Sequence, residues 1–296
     1  MRAERLRKGA AVSETPRVSS IIVWSLLTLG FVYLAVASPW ISTGSSFSNS
    51  LCVQTQSSSA IPKASPAPAG IRQIALTTKD LVYDPGGQRI YASLPGTAPN
   101  GNSIVQIDPV AGTVGTPVPM GSEPGRLAIS DNSQFIYASL DGAAAVRRFD
   151  IATQTAGLQF TLGSNPNPDF GNYYVGDLAV MPGQPNTVAI ARIYKERIVG
   201  LAGVAIYDNG AVRLNTEVNP STSVIQFGAS ANTLYGLGSN LSPKPFNIMT
   251  INGSGVTVSS TFDGYITGSG TDIRFAGGLI YATSGQVLNP TTGALL

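Results

Sequence analysis

A unit of two short apolar strands around a polar turn recurs along the chain, and it constrains the fold more than any other feature. Arg126 to Gly142 gives the clearest copy, with Arg-Leu-Ala-Ile before the turn Ser-Asp-Asn-Ser-Gln and Phe-Ile-Tyr-Ala-Ser-Leu after it. Asp80 to Gly96 repeats it, and the tyrosines of the two copies, Tyr91 and Tyr137, are 46 residues apart. Val224 to Gly236 and Ile273 to Thr283 repeat it again, with Tyr235 and Tyr281 also 46 apart. The gap of 98 residues between Tyr137 and Tyr235 holds a copy without tyrosine, Asp177-Leu178-Ala179-Val180 followed by Thr187 to Ala191. A period of about 40 to 50 residues built only of short strands is the signature of a β-propeller, with one copy for each four-stranded blade. The expected fold is therefore an all-β propeller of five recognisable blades, near 79–119, 126–162, 176–217, 223–262 and 271–296.

Each copy continues into a third strand that ends in a polar turn. Ile104 to Ile107 leads into Asp108-Pro109-Val110-Ala111-Gly112, and Val146 to Phe149 into Asp150-Ile151-Ala152-Thr153. The later copies end at Asp208-Asn209-Gly210, Asn252-Gly253-Ser254-Gly255 and Asn289-Pro290-Thr291-Thr292-Gly293. Asp and Asn suit such places because their side chains bond the backbone two residues on. Asp84, Asp108, Asp131, Asp150 and Asp208 are read on that ground as turn-formers and not as catalysts. A fourth strand, such as Leu158 to Leu162, completes the blade. The chain stops at Leu296, just after the third-strand turn of the fifth copy. Either Ile71 to Thr77 supplies the missing outer strand, or the five blades are part of a longer, seven-bladed ring. The second reading is preferred, because the last copy is cut within the strand-like Ala294-Leu295-Leu296.

Composition agrees with many tight turns. Of 296 residues, 33 are Gly and 20 Pro, and only 11% are charged. The net charge of +2 is concentrated at the start, where five cations (Arg2, Arg5, Arg7, Lys8, Arg17) face two anions (Glu4, Glu14). The remaining body is near neutral, which argues against nucleic acid as a partner, since that binding needs clustered Lys and Arg. After this leader (residues 1–20), Ile21 to Ala37 is an uncharged apolar run, read as a membrane-targeting helix. Its length lies between a signal-peptide core and a comfortable bilayer span. Ala35-Val36-Ala37 suits a cleavage site, whereas the long basic leader and Trp24, Phe31, Tyr33 and Trp40 suit a retained anchor, and both readings stay open. Either way the body is expected outside the cytoplasm, secreted or membrane-anchored. Residues 38–70, rich in Ser, Pro and Ala, read as a disordered linker, and the lone Cys52 within it leaves no intrachain disulfide.

The strand pattern resembles the bacterial YVTN-type repeat propellers, in which a hydrophobic residue, Tyr and a small or β-branched pair mark the second strand. Here the marks are Tyr91-Ala92-Ser93, Tyr137-Ala138-Ser139, Tyr235-Gly236-Leu237 and Tyr281-Ala282-Thr283, without the closing Asn. The resemblance implies an extracytoplasmic seven-bladed ring and a distant kinship with propeller lactonases.

The chain contains no His, which removes the usual general base, the usual zinc ligand and any Ser-His-Asp triad. No cofactor, metal or catalytic residue is expected, although Asp169, Asp177 and Glu196 are acids outside the regular turns. Loop lengths point to a binding role instead. First-to-second and third-to-fourth turns are short, while Pro95–Asn102, Ser164–Tyr174, Ile193–Gly203 and Gly238–Pro245 are long, so one rim of the propeller should be elaborated. Loops on a rigid scaffold carry recognition. The candidate binding residues are Asn167, Phe170, Tyr173 and Tyr174 in one loop and Arg192, Lys195 and Arg197 in the next, because aromatic and Arg side chains anchor binding surfaces. The competing reading has Phe170 and Tyr173 plugging a groove between blades and the charges of the next loop forming a solvated tip. Function is expected to be recognition of a protein or glycan; a lactonase-like or metal-assisted hydrolase and a structural surface module are the alternatives.

Overall fold

A computed structural model describes residues 21–22, 73–195, 200–217 and 221–296. The basic leader, Cys52, nearly all of the apolar run and the whole of the linker lie outside these residues, as do Glu196 and Arg197. Among the described residues no helix is long and apolar enough to cross a membrane. Within residues 20–75, Ile21–Ile22 (β1) pairs antiparallel with Gln73–Ile74 (β2).

Residues 76–296 form five sheets arranged as the blades of a propeller. The first comprises Asp80–Asp84 (β3), Arg89–Leu94 (β4), Ser103–Asp108 (β5) and an outer strand in two pieces, Thr113–Val114 (β6) and Val118–Pro119 (β7), both paired with β5. Pro117 and Pro119 lack the N–H that a continuous ladder needs, which suits this broken edge. The second blade is Pro124–Ile129 (β8), Phe135–Leu140 (β9), Ala145–Asp150 (β10) and Thr155–Thr161 (β11). The third is Tyr174–Met181 (β12), Gln184–Ile193 (β13), Leu201–Asp208 (β14) and Ala211–Val212 (β15). The fourth is Val224–Phe227 (β16), Thr233–Leu237 (β17), Pro245–Asn252 (β18) and Gly255–Asp263 (β19). The fifth has Ile273–Ala276 (β20), Leu279–Ala282 (β21) and Val287–Leu288 (β22), with Leu295 bridging to Leu288 where a fourth strand belongs. All pairings within the blades are antiparallel, as short connections dictate.

Alternation along each strand sends successive side chains to the two neighbouring blades. On β9, Ile136 and Ala138 join Tyr91, Ile104 and Met120 of the first blade, while Tyr137 joins Leu178, Val188 and Ile190 of the third. Equivalent clusters join the third blade to the fourth around Met181, Ile206, Phe227 and Met249, and the fourth to the fifth around Phe246, Ile266 and Ile280. Each blade is thus half a core, and stacking completes it.

The turns behave largely as their composition requires. The Asp84, Asp108 and Asp150 carboxylates accept from the backbone N–H of Gly86, Val110 and Thr153, at 3.0, 2.8 and 2.8 Å. Asp131 and Asp208 occupy similar places but bond elsewhere. Asp131 accepts from Gly183 N of the third blade at 2.7 Å, and Asp208 forms a 2.7 Å ion pair with Arg213 that lowers its pKa. Asn209-Gly210 closes the β14–β15 hairpin with positive φ at both residues, the pattern that two-residue hairpins favour. A Cβ at Gly210 would lie 2.8 Å from the Phe160 side chain of the second blade, so the tip also needs Gly for close approach.

Two further devices tie blades together. The Asp80 carboxylate on β3 accepts from Leu127 N on β8, and Asp177 on β12 accepts from Ile225 N on β16, both at 2.8 Å. At the rim, Asn215 donates its N–H to Ser254 O at 2.7 Å and accepts from Val256 N at 3.1 Å. This one-residue parallel bridge joins the outer edges of the third and fourth blades.

Candidate functional site

One position of the repeat, at or near the N-terminal half of each innermost strand, is polar in four blades: Asp80, Arg126, Asp177 and Asp272, with Val224 at the corresponding place in the fourth. The shared up-and-down strand order of every blade puts all these positions toward one end of the propeller, the end where the second-to-third connections also lie. Those connections include the long segments after β13 and β17. Together they bound a cavity of about 530 Å3, with Arg126, Ser223 and Asp272 on its inner-strand side and Tyr194, Lys195, Ser239 and Asn240 on its loop side.

Electrostatics within this end are mixed in sign. Burial pushes the Asp80 carboxyl up, against the Leu127 N–H and the Arg126 and Arg274 guanidiniums, which hold it down. Asp177 is pushed up to about 7 by burial, with Ile225 N–H and Arg126 opposing and the Asp272 charge adding to the rise. Both carboxylates have an oxygen committed to the backbone of the next blade. Among the described residues no three metal-ligating side chains converge. Arg274 Nη1 donates to Gln226 Oε1 at 3.2 Å. The Arg126 guanidinium is exposed and makes no hydrogen bond or ion pair with another described side chain, although its own N–H is held by Ser139 Oγ at 2.9 Å.

The two loops that hold the candidate residues meet through a side chain the sequence reading passed over, Tyr194. Its ring packs 5.1 Å from Phe170 and 5.5 Å from Tyr173, and its hydroxyl accepts from Asn165 Nδ2. Asn167 caps the short 3-10 turn Pro168–Phe170 by accepting from Asp169 N at 3.0 Å, which fixes Phe170 for this contact. Tyr173 also lies against the core between the second and third blades, so the groove-plugging role describes its packing.

Arg192 departs from the picture of a charged loop tip. It is only 7% exposed, because β13 runs on through Ile193 and carries it inward. Its guanidinium stacks 4.4 Å from the Tyr173 ring centre and donates to Ala202 O at 3.1 Å, while Nε has no partner among the described residues. Lys195, by contrast, is exposed and lines the cavity; its ammonium sits 4.3 Å over the Tyr174 ring and donates to Asp141 O. Of the residues named from sequence, the fold therefore brings Asn167, Phe170, Tyr173, Tyr174, Arg192 and Lys195 into one neighbourhood, with Lys195 alone of these on the cavity wall. Arg197 lies outside the described residues. Arg126, Asn240 and Asp272 were not singled out. Arg126 and Asp272 head copies of the repeat, which is the signal that points to a propeller's central channel.

No protein-family model and no curated protein matches the chain. Solved structures do match by fold. Hydrazine synthase from Kuenenia stuttgartiensis superposes with a TM-score of 0.55 at 14% identity, covering 72% of this chain. The β-propeller domain of Cps50 (Swd1) from Myceliophteria thermophila gives 0.51 at 11% identity and 73% coverage. The chain spans 57% of the first of these and 67% of the second. At such identities the agreement is one of architecture, a β-propeller.

Proposed function

We propose that this chain is an extracytoplasmic recognition module that holds a glycan or protein partner at the elaborated end of its propeller. The observation that carries this reading is the cavity of about 530 Å3 at that end, lined by residues of two connections and holding an exposed guanidinium that pairs with no other described side chain. A rigid ring with varied loops at one rim is a scaffold suited to binding. The basic leader followed by an apolar run supports placement of the body outside the cytoplasm.

Co-sedimentation of the purified chain with a cell-envelope fraction tests the site. Arg126→Ala with Asn240→Ala should cut capture at least fivefold, whereas Asn132→Ala with Thr153→Ala, in the short turns at the other end, should leave it unchanged. Equal capture by both pairs would remove the cavity from the reading.

A further inference from the structure

We infer that Asn252-Gly253, in the turn joining β18 to β19, is a site of self-catalysed covalent modification, where the asparagine converts to aspartate and isoaspartate and loosens the bridge at Asn215. The chemistry needs no reagent but water. The Gly253 nitrogen gives up its proton and attacks Asn252 Cγ, the Cγ–Nδ2 bond breaks, and ammonia leaves carrying that proton. Water then opens the resulting cyclic imide at either carbonyl, giving aspartate, or isoaspartate with the main chain routed through the side-chain carbon. Glycine favours the attack because it puts no side chain beside the nitrogen and leaves the backbone free to turn.

Three Asn-Gly pairs occur in the chain, and their surroundings differ. At Asn252, Arg213 Nη1 donates to the backbone carbonyl oxygen at 2.7 Å, and that oxygen carries part of the charge when the Gly253 nitrogen is deprotonated. Ser254 N–H donates to Asn252 Oδ1 at 2.9 Å, where negative charge collects as the new bond forms. Both residues of the pair are exposed, a Cβ at Gly253 would meet nothing within 4 Å, and the Gly253 N–H donates to no described residue. The other pairs are guarded. The Gly101 N–H is held by Ala98 O at 2.9 Å and a Cβ there would overlap Pro95 O, so its nitrogen is engaged and enclosed. Gly210 packs on Phe160 of the second blade, and Arg148 of that blade donates to Asn209 Oδ1 at 3.3 Å, which holds both residues in place. Conversion at Asn252 reaches the rim because Ser254 O and Val256 N, just beyond it, are the groups that hold Asn215. Isoaspartate inserts an extra main-chain atom before them and shifts both.

Peptide mapping by mass spectrometry of the full chain, aged at body temperature and mildly alkaline pH, tests the inference. Asn252 should gain about one dalton at least tenfold faster than Asn100 or Asn209, and an isoaspartyl-specific methyltransferase should label the same peptide. In concentrated urea the three sites should convert at comparable rates, which assigns the difference to the fold. Arg213→Gln should slow conversion of Asn252 at least threefold and Arg213→Lys, which keeps the charge, by less, with unchanged circular dichroism showing that each variant is folded. Amide hydrogen exchange at Asn215 and Val256 should quicken in the converted fraction alone. Equal conversion of the three sites in the folded chain, a rate at Asn252 untouched by Arg213→Gln, or unchanged exchange after conversion would overturn the inference.

Discussion

Tyr137 and Tyr281 occupy the same place in the repeat, the second strand of the second and fifth blades, yet one is 1% exposed and the other 44%. Tyr137 enters the core between the second and third blades and donates its hydroxyl to Pro185 O of the third blade at 2.9 Å. Tyr281 shares a face of the fifth sheet with Arg274 and Val287, and no apolar cluster of described residues forms on that side. The pair shows that the repeat encodes where a side chain points, while the adjoining blade decides what that direction is worth. Position in the period and contribution to stability are separate quantities.

The sharpest way to break this comparison is truncation. Tyr137→Ala should destabilise the fold by about 3–5 kcal/mol, as large aromatic deletions in cores do, and Tyr281→Ala by less than about 1 kcal/mol. Equal shifts in urea midpoint would refute the distinction. The carboxylates that head the inner strands give a second, smaller contrast. Asp177→Ala leaves Ile225 N–H without its acceptor and should cost about 1–3 kcal/mol, whereas the exposed Asp272 bonds Ile273 N of its own strand and its removal should cost under about 0.5 kcal/mol.

Asp177 also gives the contrast a pH axis. Its folded pKa, about 7, lies above the ordinary carboxylate value of 3.8, so the folded state keeps this proton where the unfolded chain has released it. Its contribution is full below the unfolded pKa and is lost as pH rises through about 7. Arg126 and Asp272 are the charges acting on it. Thermal melts at successive pH values should show Asp177→Asn falling less than wild type between pH 5 and 8; parallel curves would count against the shift. The smallest effect concerns one atom. Tyr137→Phe should lose about 0.5–1.5 kcal/mol with the hydroxyl contact, and Tyr281→Phe nothing measurable.

Much of this architecture was legible in the sequence because period-two alternation inside a longer repeat determines both strand and blade. Tyr91, Tyr137 and Tyr235 were found that way, and all three are buried. The inter-blade bonds of Asp80 and Asp177 were not, since their partners lie 47 and 48 residues downstream and each acceptor looks like any strand-end acid. Those separations match the repeat itself, so a search for donors one period away would have found them. Arg192 misled for a different reason. A charge beside a variable loop suggests exposure, but β13 reaches ten residues and ends beyond it, which draws the guanidinium under Tyr173. The cavity was legible only in outline, because it is assembled from residues at four inner strands and two loops that no local pattern connects.

The perimeter stitch at Asn215 has a mechanical consequence. A propeller sheet is most easily peeled from its outside edge, where each backbone group has a neighbour on one side alone. By sharing one residue between two such edges, the chain prevents either from fraying independently. Those two sheets should therefore yield together, as a paired sector, when the assembly is pulled or heated.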